Sequence, residues 1–157
     1  MKIFFIILSC IIIAVIVWFF IQGAASKQGK PLGLIENKLT ICPDKPNCVC
    51  SEHKDDNKHY ISPIKITQNT SSALLDIKEI IDKMGGILQS EHADYLAATF
   101  SSTIFGFIDD LEIRFDNKHN LIHIRSASRV GHSDMGVNKK RVELLKQLYQ
   151  QRIEEVN

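Results

Sequence analysis

"FIDDLEIRFDNKHNLIHIRSAS", residues 107–128, decides the fold. Leu111, Ile113 and Phe115 alternate with Asp110, Glu112 and Arg114. Ile122 and Ile124 alternate with His123 and Arg125. A period of two is the pattern of strands with one apolar face. "NKHN", residues 117–120, is turn chemistry between them. Matching the apolar faces sets Phe115 opposite Ile122 and Ile113 opposite Ile124. The other face then pairs Glu112 with Arg125 and Arg114 with His123. On an open face such an ion pair contributes about 0.2–1 kcal/mol.

Upstream, "HYISPIKIT" (59–67) reads as an edge strand marked by Pro63. "SSALLDIKEIIDKMGG" reads as a helix with Leu74, Ile77, Ile81 and Met84 on one face and Ile80 beside them. Thr70, Ser71 or Ser72 can cap it, and Gly85-Gly86 ends it. "ILQSEH" and "YLAATFSS" read as two strands around Ala93-Asp94. Downstream, Val142, Leu145, Leu148, Tyr149, Ile153 and Val156 form a helical stripe. The order β-α-β-β-β-β-α predicts an α+β fold: an antiparallel sheet of about five strands with two helices on one face. The polar face is left to solvent, a partner or a membrane.

Residues 3–21, "IFFIILSCIIIAVIVWFFI", carry no charge and match the roughly 20 apolar residues that span a bilayer. Gly23-Ala24-Ala25 would suit signal cleavage after Ala25, but the run exceeds the usual 7 to 15 residues of a signal-peptide core. The length favours an uncleaved transmembrane anchor over residues 1–25. "ILSC" (7–10) only faintly resembles an acylation site, because the apolar run continues past Cys10. Lys2 on one side and Lys27 and Lys30 on the other do not set the orientation. Residues 26–38 read as a linker and 39–157 as one α+β domain. The whole chain has 19 basic and 18 acidic residues, a net charge of +1, which argues against nucleic acid as a partner.

"ICPDKPNCVCSEH", residues 41–53, holds three cysteines. Three fates are open. Cys42 and Cys48 can close a disulfide across a five-residue gap containing two prolines, which an envelope compartment permits. All three thiols can stay reduced. A metal or redox role for Cys42, Cys48 and Cys50 is the third, although C-x5-C-x-C fits zinc spacing poorly and no second pair follows. A disulfide would put the domain outside the cytoplasm, making the chain a single-pass membrane protein with an extracytoplasmic domain.

Asp109, Asp110, Glu112, Arg125, Ser128, Arg129, Ser133, Asp134, Asn138 and Arg141 crowd two strands and the loop after them. As a pocket, they offer bidentate arginines for phosphate or carboxylate and carboxylates able to share a proton. Lys139, Lys140 and Arg141 sit at a helix amino terminus, where something acidic should offset them. An anionic ligand, a lipid headgroup or Asp109, Asp110 and Glu112 themselves could do so. His132-Ser133-Asp134 tempts a triad reading, but adjacent residues rarely adopt triad geometry and there is no Gly-x-Ser-x-Gly elbow. His59, His92, His119 and His123 read as surface or strand-face residues, and Met84 and Met135 as packing residues.

Three segments carry a family resemblance. "CPDKPNCVCS", "FGFIDDLEIRF" (105–115) and "RSASRVGHSDMGVNKKR" (125–141) resemble the signature of domain-of-unknown-function family 1499, over about residues 39–150. The resemblance implies a bacterial envelope or membrane-attached protein, with plastid relatives and no established activity. Cys50 stands where the family usually has Ser, and His132 where it often has Tyr. The reading that follows is a membrane-anchored, non-enzymatic module binding an anionic small molecule, lipid headgroup or envelope protein, with no cofactor, metal ligand or catalytic residue assigned. The rival is an acid–base or hydrolytic enzyme using Asp109, Asp110 and Asp134.

Overall fold

The structure, a computed structural model, describes residues 1–67 and 69–156. Among them, three helices and eight strands follow in the order α1 (Lys2–Ser26), β1 (Leu34–Ile35), β2 (Lys38–Leu39), β3 (Cys48–Cys50), β4 (Ile64–Lys65), α2 (Thr70–Lys83), β5 (Ile87–His92), β6 (Tyr95–Ser101), β7 (Ile108–Asp116), β8 (Leu121–Ser128) and α3 (Val137–Val156). The main sheet runs β3-β8-β7-β6-β5 and is antiparallel. β4 pairs with β8 beyond the end of β3, so the two short strands share one edge. β1 and β2 form a separate hairpin.

The β7–β8 register is the one expected. Phe115 faces Ile122, Ile113 faces Ile124, Glu112 faces Arg125 and Arg114 faces His123. Their apolar face is the main core, where Leu111, Ile113, Phe115, Ile122 and Ile124 meet Ile77 and Ile81 of α2 and Val142, Leu145 and Tyr149 of α3. Arg152 clips the two helices together, bonding Asp76 and Glu79 at 3.2 and 2.9 Å. The side chain of Val156, counted in the α3 stripe, lies outside the described residues.

The other face departs from expectation. It is not open: residues 29–53 lie across it. Leu34, Leu39, Cys42, Cys48 and Cys50 pack there with Tyr95, Ala97 and Ala127 in a second apolar cluster. The central strands are therefore buried on both sides, as the all-buried β6 and β8 interiors require, while the edge strand β5 stays exposed. Local details shift too. Asn69, not Thr70, Ser71 or Ser72, caps α2 by accepting from Ser72 N. The predicted strand over 59–67 shrinks to Ile64–Lys65. At the C-terminus of α2, Gly85 (φ +82°) places its own N–H on Asp82 O and that of Gly86 on Ile81 O, a Schellman cap.

α1 has room for a bilayer span by length and composition. Its last turn is part of the folded unit. Gly23 and Ser26 are buried, and Ser26 Oγ accepts from Ile108 N at 3.0 Å. A Cβ on Gly23 would lie 1.9 Å from Phe105 O.

Candidate functional site

The strand period divides the sequence-predicted cluster between two faces. On the helix side, Asp109 bonds Arg141 at 2.7 Å. Asn138 is the hub. Its Nδ2 donates to Asn47 O, Ser128 Oγ and Asp134 Oδ2, and its Oδ1 accepts from Ser126 Oγ and from Arg141. Asp134 accepts from the backbone N–H groups of Gly136 and Asn138, which supplies the acid wanted at the start of α3. Ser133 is exposed, and its Oγ accepts from Met135 N at 3.3 Å.

On the opposite side, Glu112 is wholly buried and held by three donors: Arg125 Nη1, Tyr95 OH and Gly33 N, each at 2.8 Å. Burial first, then the Glu112 charge, pushes the Tyr95 phenol far above its ordinary pKa. Arg129 grips Asp110 through Nε and Nη2 at 2.7–3.1 Å and donates Nη1 to Ser26 O and Gly29 O. Asp109 and Asp110, adjacent in sequence, are thus on opposite faces of the sheet, each with its own arginine. They do not form a proton-sharing pair, and Asp134 belongs to the α3 start.

The three acids and three arginines are matched one to one, and most of the polar atoms are satisfied internally. One is not: the Nε of Arg125 is buried without a hydrogen-bond partner. Arg125 is 3% exposed and lines a cleft of about 450 Å³ between the sheet and residues 29–43. Arg129, Asp110 and Lys30 line it too, with Leu32, Ile41 and Pro43 as apolar walls. Sequence reasoning does not single out Lys30, Tyr95 or Gly33. Lys30 sits in a stretch without periodicity, and Tyr95 opens a strand read only for its apolar content.

The cysteines resolve into two states. Cys42 and Cys48 form a disulfide, with Cα atoms 5.7 Å apart. Cys50 is a free, buried thiol whose pKa is raised by desolvation. His59, expected at the surface or on a strand face, is 5% exposed and clasps the disulfide loop, bonding Asp56 through Nδ1 and Lys45 O through Nε2. Met135, expected to pack, is 90% exposed. Among the described residues no three His, Cys, Asp or Glu side chains converge as a metal-ligand set.

The family model DUF1499, "Protein of unknown function", matches residues 38–148. The chain belongs to the DUF1499 family. The matched span starts in β2 and ends in α3, so it contains the disulfide, both arginine-rich faces and the Asn138 hub. α1 and Lys30 lie before it. Neither a curated protein nor a solved structure matches the chain.

Proposed function

We propose that this DUF1499 protein is a single-pass, membrane-anchored binding module whose cleft beside Arg125 receives an anionic group, a carboxylate or phosphate. The observation that carries the reading is Arg125, a residue of that cleft whose buried Nε has no hydrogen-bond partner. A buried donor left unpaired costs free energy, so an acceptor arriving there is rewarded. Lys30 adds a charge to the cleft, whose one carboxylate among the described lining residues, Asp110, is taken by Arg129. The separated carboxylates give the acid–base alternative no dyad.

An uncleaved anchor is supported by the contacts of α1. Cleavage after Ala25 would remove Gly23 from its seat on Phe105 and leave Ser26 as a free amine. The Cys42–Cys48 bond supports an oxidising, extracytoplasmic location for the domain. Lys30 follows the helix by only four residues, so the anion source is either a bilayer headgroup or a free solute.

The test uses the full chain in detergent and in nanodiscs. Inorganic phosphate should raise the thermal midpoint beyond a sodium chloride control of equal ionic strength, and Lys30→Glu should abolish the rise. A rise only in nanodiscs containing phosphatidylglycerol would assign the headgroup as the source. No rise in either medium removes the anion site. An intact mass retaining residues 1–25 after expression supports the anchor.

A further inference from the structure

A second cavity, of about 530 Å³, lies on the opposite side of the sheet, between α1 and the two loops that flank β7 and α3. One wall is aromatic. Phe105 stacks on Phe19 with ring centroids 5.1 Å apart, meets Phe20 edge-on at 5.2 Å, and has Phe107 beside it at 6.1 Å. The facing wall is Val130, Met135 and Val137. Trp18 and Phe19 line the cavity and also belong to the apolar run 3–21, so the cavity is continuous with the membrane span. Gln22, one turn nearer the domain, is among its polar residues, with His132, Ser133 and Asp134 from the loop before α3.

The same end of the molecule exposes apolar side chains that water would not favour. Ile104 is 73% and Met135 90% exposed, and Val137 is 45% exposed. Clustered exposed apolar surface marks an interaction site, and here its neighbour is the bilayer. The volume falls in the range of ordinary ligand sites. Among the described residues, no lysine or arginine lines it. Its two carboxylates are committed, Asp109 to Arg141 and Asp134 to the start of α3.

We propose that this cavity binds one acyl chain of a membrane lipid bearing an uncharged, hydrogen-bonding head such as a glycerol ester. The chain enters along Trp18 and Phe19, and the head meets Gln22 and Ser133. An anionic head finds no lysine or arginine to pair with among the described lining residues, whose one basic side chain is His132, so this site differs in charge preference from the Arg125 cleft. The proposal rests on the anchor reading, because residues 18–22 form one wall.

The experiment is photolabelling of the full chain in nanodiscs with a monoacylglycerol carrying a diazirine in its chain, followed by peptide mapping. Label is expected on residues 102–107 and 130–137, and excess unlabelled monoolein should remove it while label on residues 3–21 persists. Val130→Trp and Val137→Trp, which fill the cavity, should each lose the loop label at wild-type circular dichroism. Competition in the wild type decides even where a variant fails to fold. Label confined to residues 3–21, or loop label that monoolein does not displace, overturns the site and leaves the anchor standing. Equal loop labelling by a diazirine fatty acid at a pH where it is ionised overturns the uncharged head. A mature chain lacking residues 1–25 removes the wall and the anchor together.

Discussion

The alternation of two strands pairs Glu112 with Arg125, and the structure keeps that pair at 2.8 Å. The environment of the pair is not legible in the same way. A period of two says which residues share a face, and nothing in it says what covers the face. With Glu112 wholly buried, the pair leaves the surface regime of about 0.2–1 kcal/mol. Removing one partner leaves a buried charge and costs about 3–5 kcal/mol. Arg125→Ala should therefore lower unfolding free energy by that amount in urea. A loss under about 1 kcal/mol would mean that water reaches Glu112. Acid sensitivity sits at the far end of the same strands. Asp116 is opposed by burial, yet hydrogen bonds from His119 and Arg114 bring its pKa down to about 2. A depressed carboxylate contributes stability that is present above its unfolded value of about 3.9 and is lost as pH falls through the folded value. Burial lowers the pKa of His123, so its protonation also opposes folding, starting as pH drops below about 6.5. Urea midpoints should fall in two stages on acidification. Asp116→Asn should flatten the stage below about pH 4, and His123→Gln the earlier one.

At the scale of elements, the long periodic pieces are readable and the short ones are not. α2, β5 to β8 and α3 each carry enough repeats to declare a period. β1, β2 and β3 have two or three residues each, and they pair because residues 29–53 are held against the sheet. Part of that hold is the Cys42–Cys48 bond, whose spacing makes it one option among three in the sequence. Closing so short a loop restricts the unfolded chain by about 2 kcal/mol. Cys42→Ser should cost about that much and loosen β3 first, seen as faster amide exchange at Val49. Unchanged exchange there would show that His59 and Asn47 hold the loop without the bond. The join between α1 and the domain is hidden for another reason. "GAAS" reads equally as a cleavage site and as a close helix contact, and the choice depends on Phe105, far along the chain. Gly23→Val would place a branched side chain against Phe105 O, which lies 1.9 Å from where its Cβ would sit. It should detach the last turn of α1 and raise amide exchange at Ile108, with the domain still folded. Wild-type protection at Ile108 would mean that α1 is not seated there.

For the whole molecule, the sheet divides two chemistries. One face, closed by residues 29–53, carries buried arginine–carboxylate pairs and the cleft with an unpaired Arg125 nitrogen. The other carries the main core, and at its end the aromatic join to α1. The family match covers the sheet and both arginine faces but not α1, so under the proposed anchor the placement of the domain against a bilayer rests on the α1 contacts. With α1 spanning a bilayer as proposed, those contacts set a depth. At 1.5 Å per residue, Trp18 lies roughly 5 Å inside the Ile21 end of the apolar run. That is where tryptophan collects at membrane interfaces. Phe105 stacked on Phe19 holds loop 102–107 at the same level, with Ile104 directed away from the domain's core. Trp18 is the single tryptophan of the chain, which makes its fluorescence a direct gauge. In vesicles of brominated lipids, bromines near the headgroup should quench it more than bromines near the chain ends. Ile104→Trp in a Trp18→Phe background should give the same ranking, because the loop and the helix end share a depth. Strongest quenching of Trp18 by the deepest bromines would slide the span and carry the irregular backbone of the loop too far into the hydrocarbon. An Ile104→Trp indole quenched by no lipid position would lift the loop off the membrane, leaving α1 as a tether and the Phe19–Phe105 stack unformed in the bilayer.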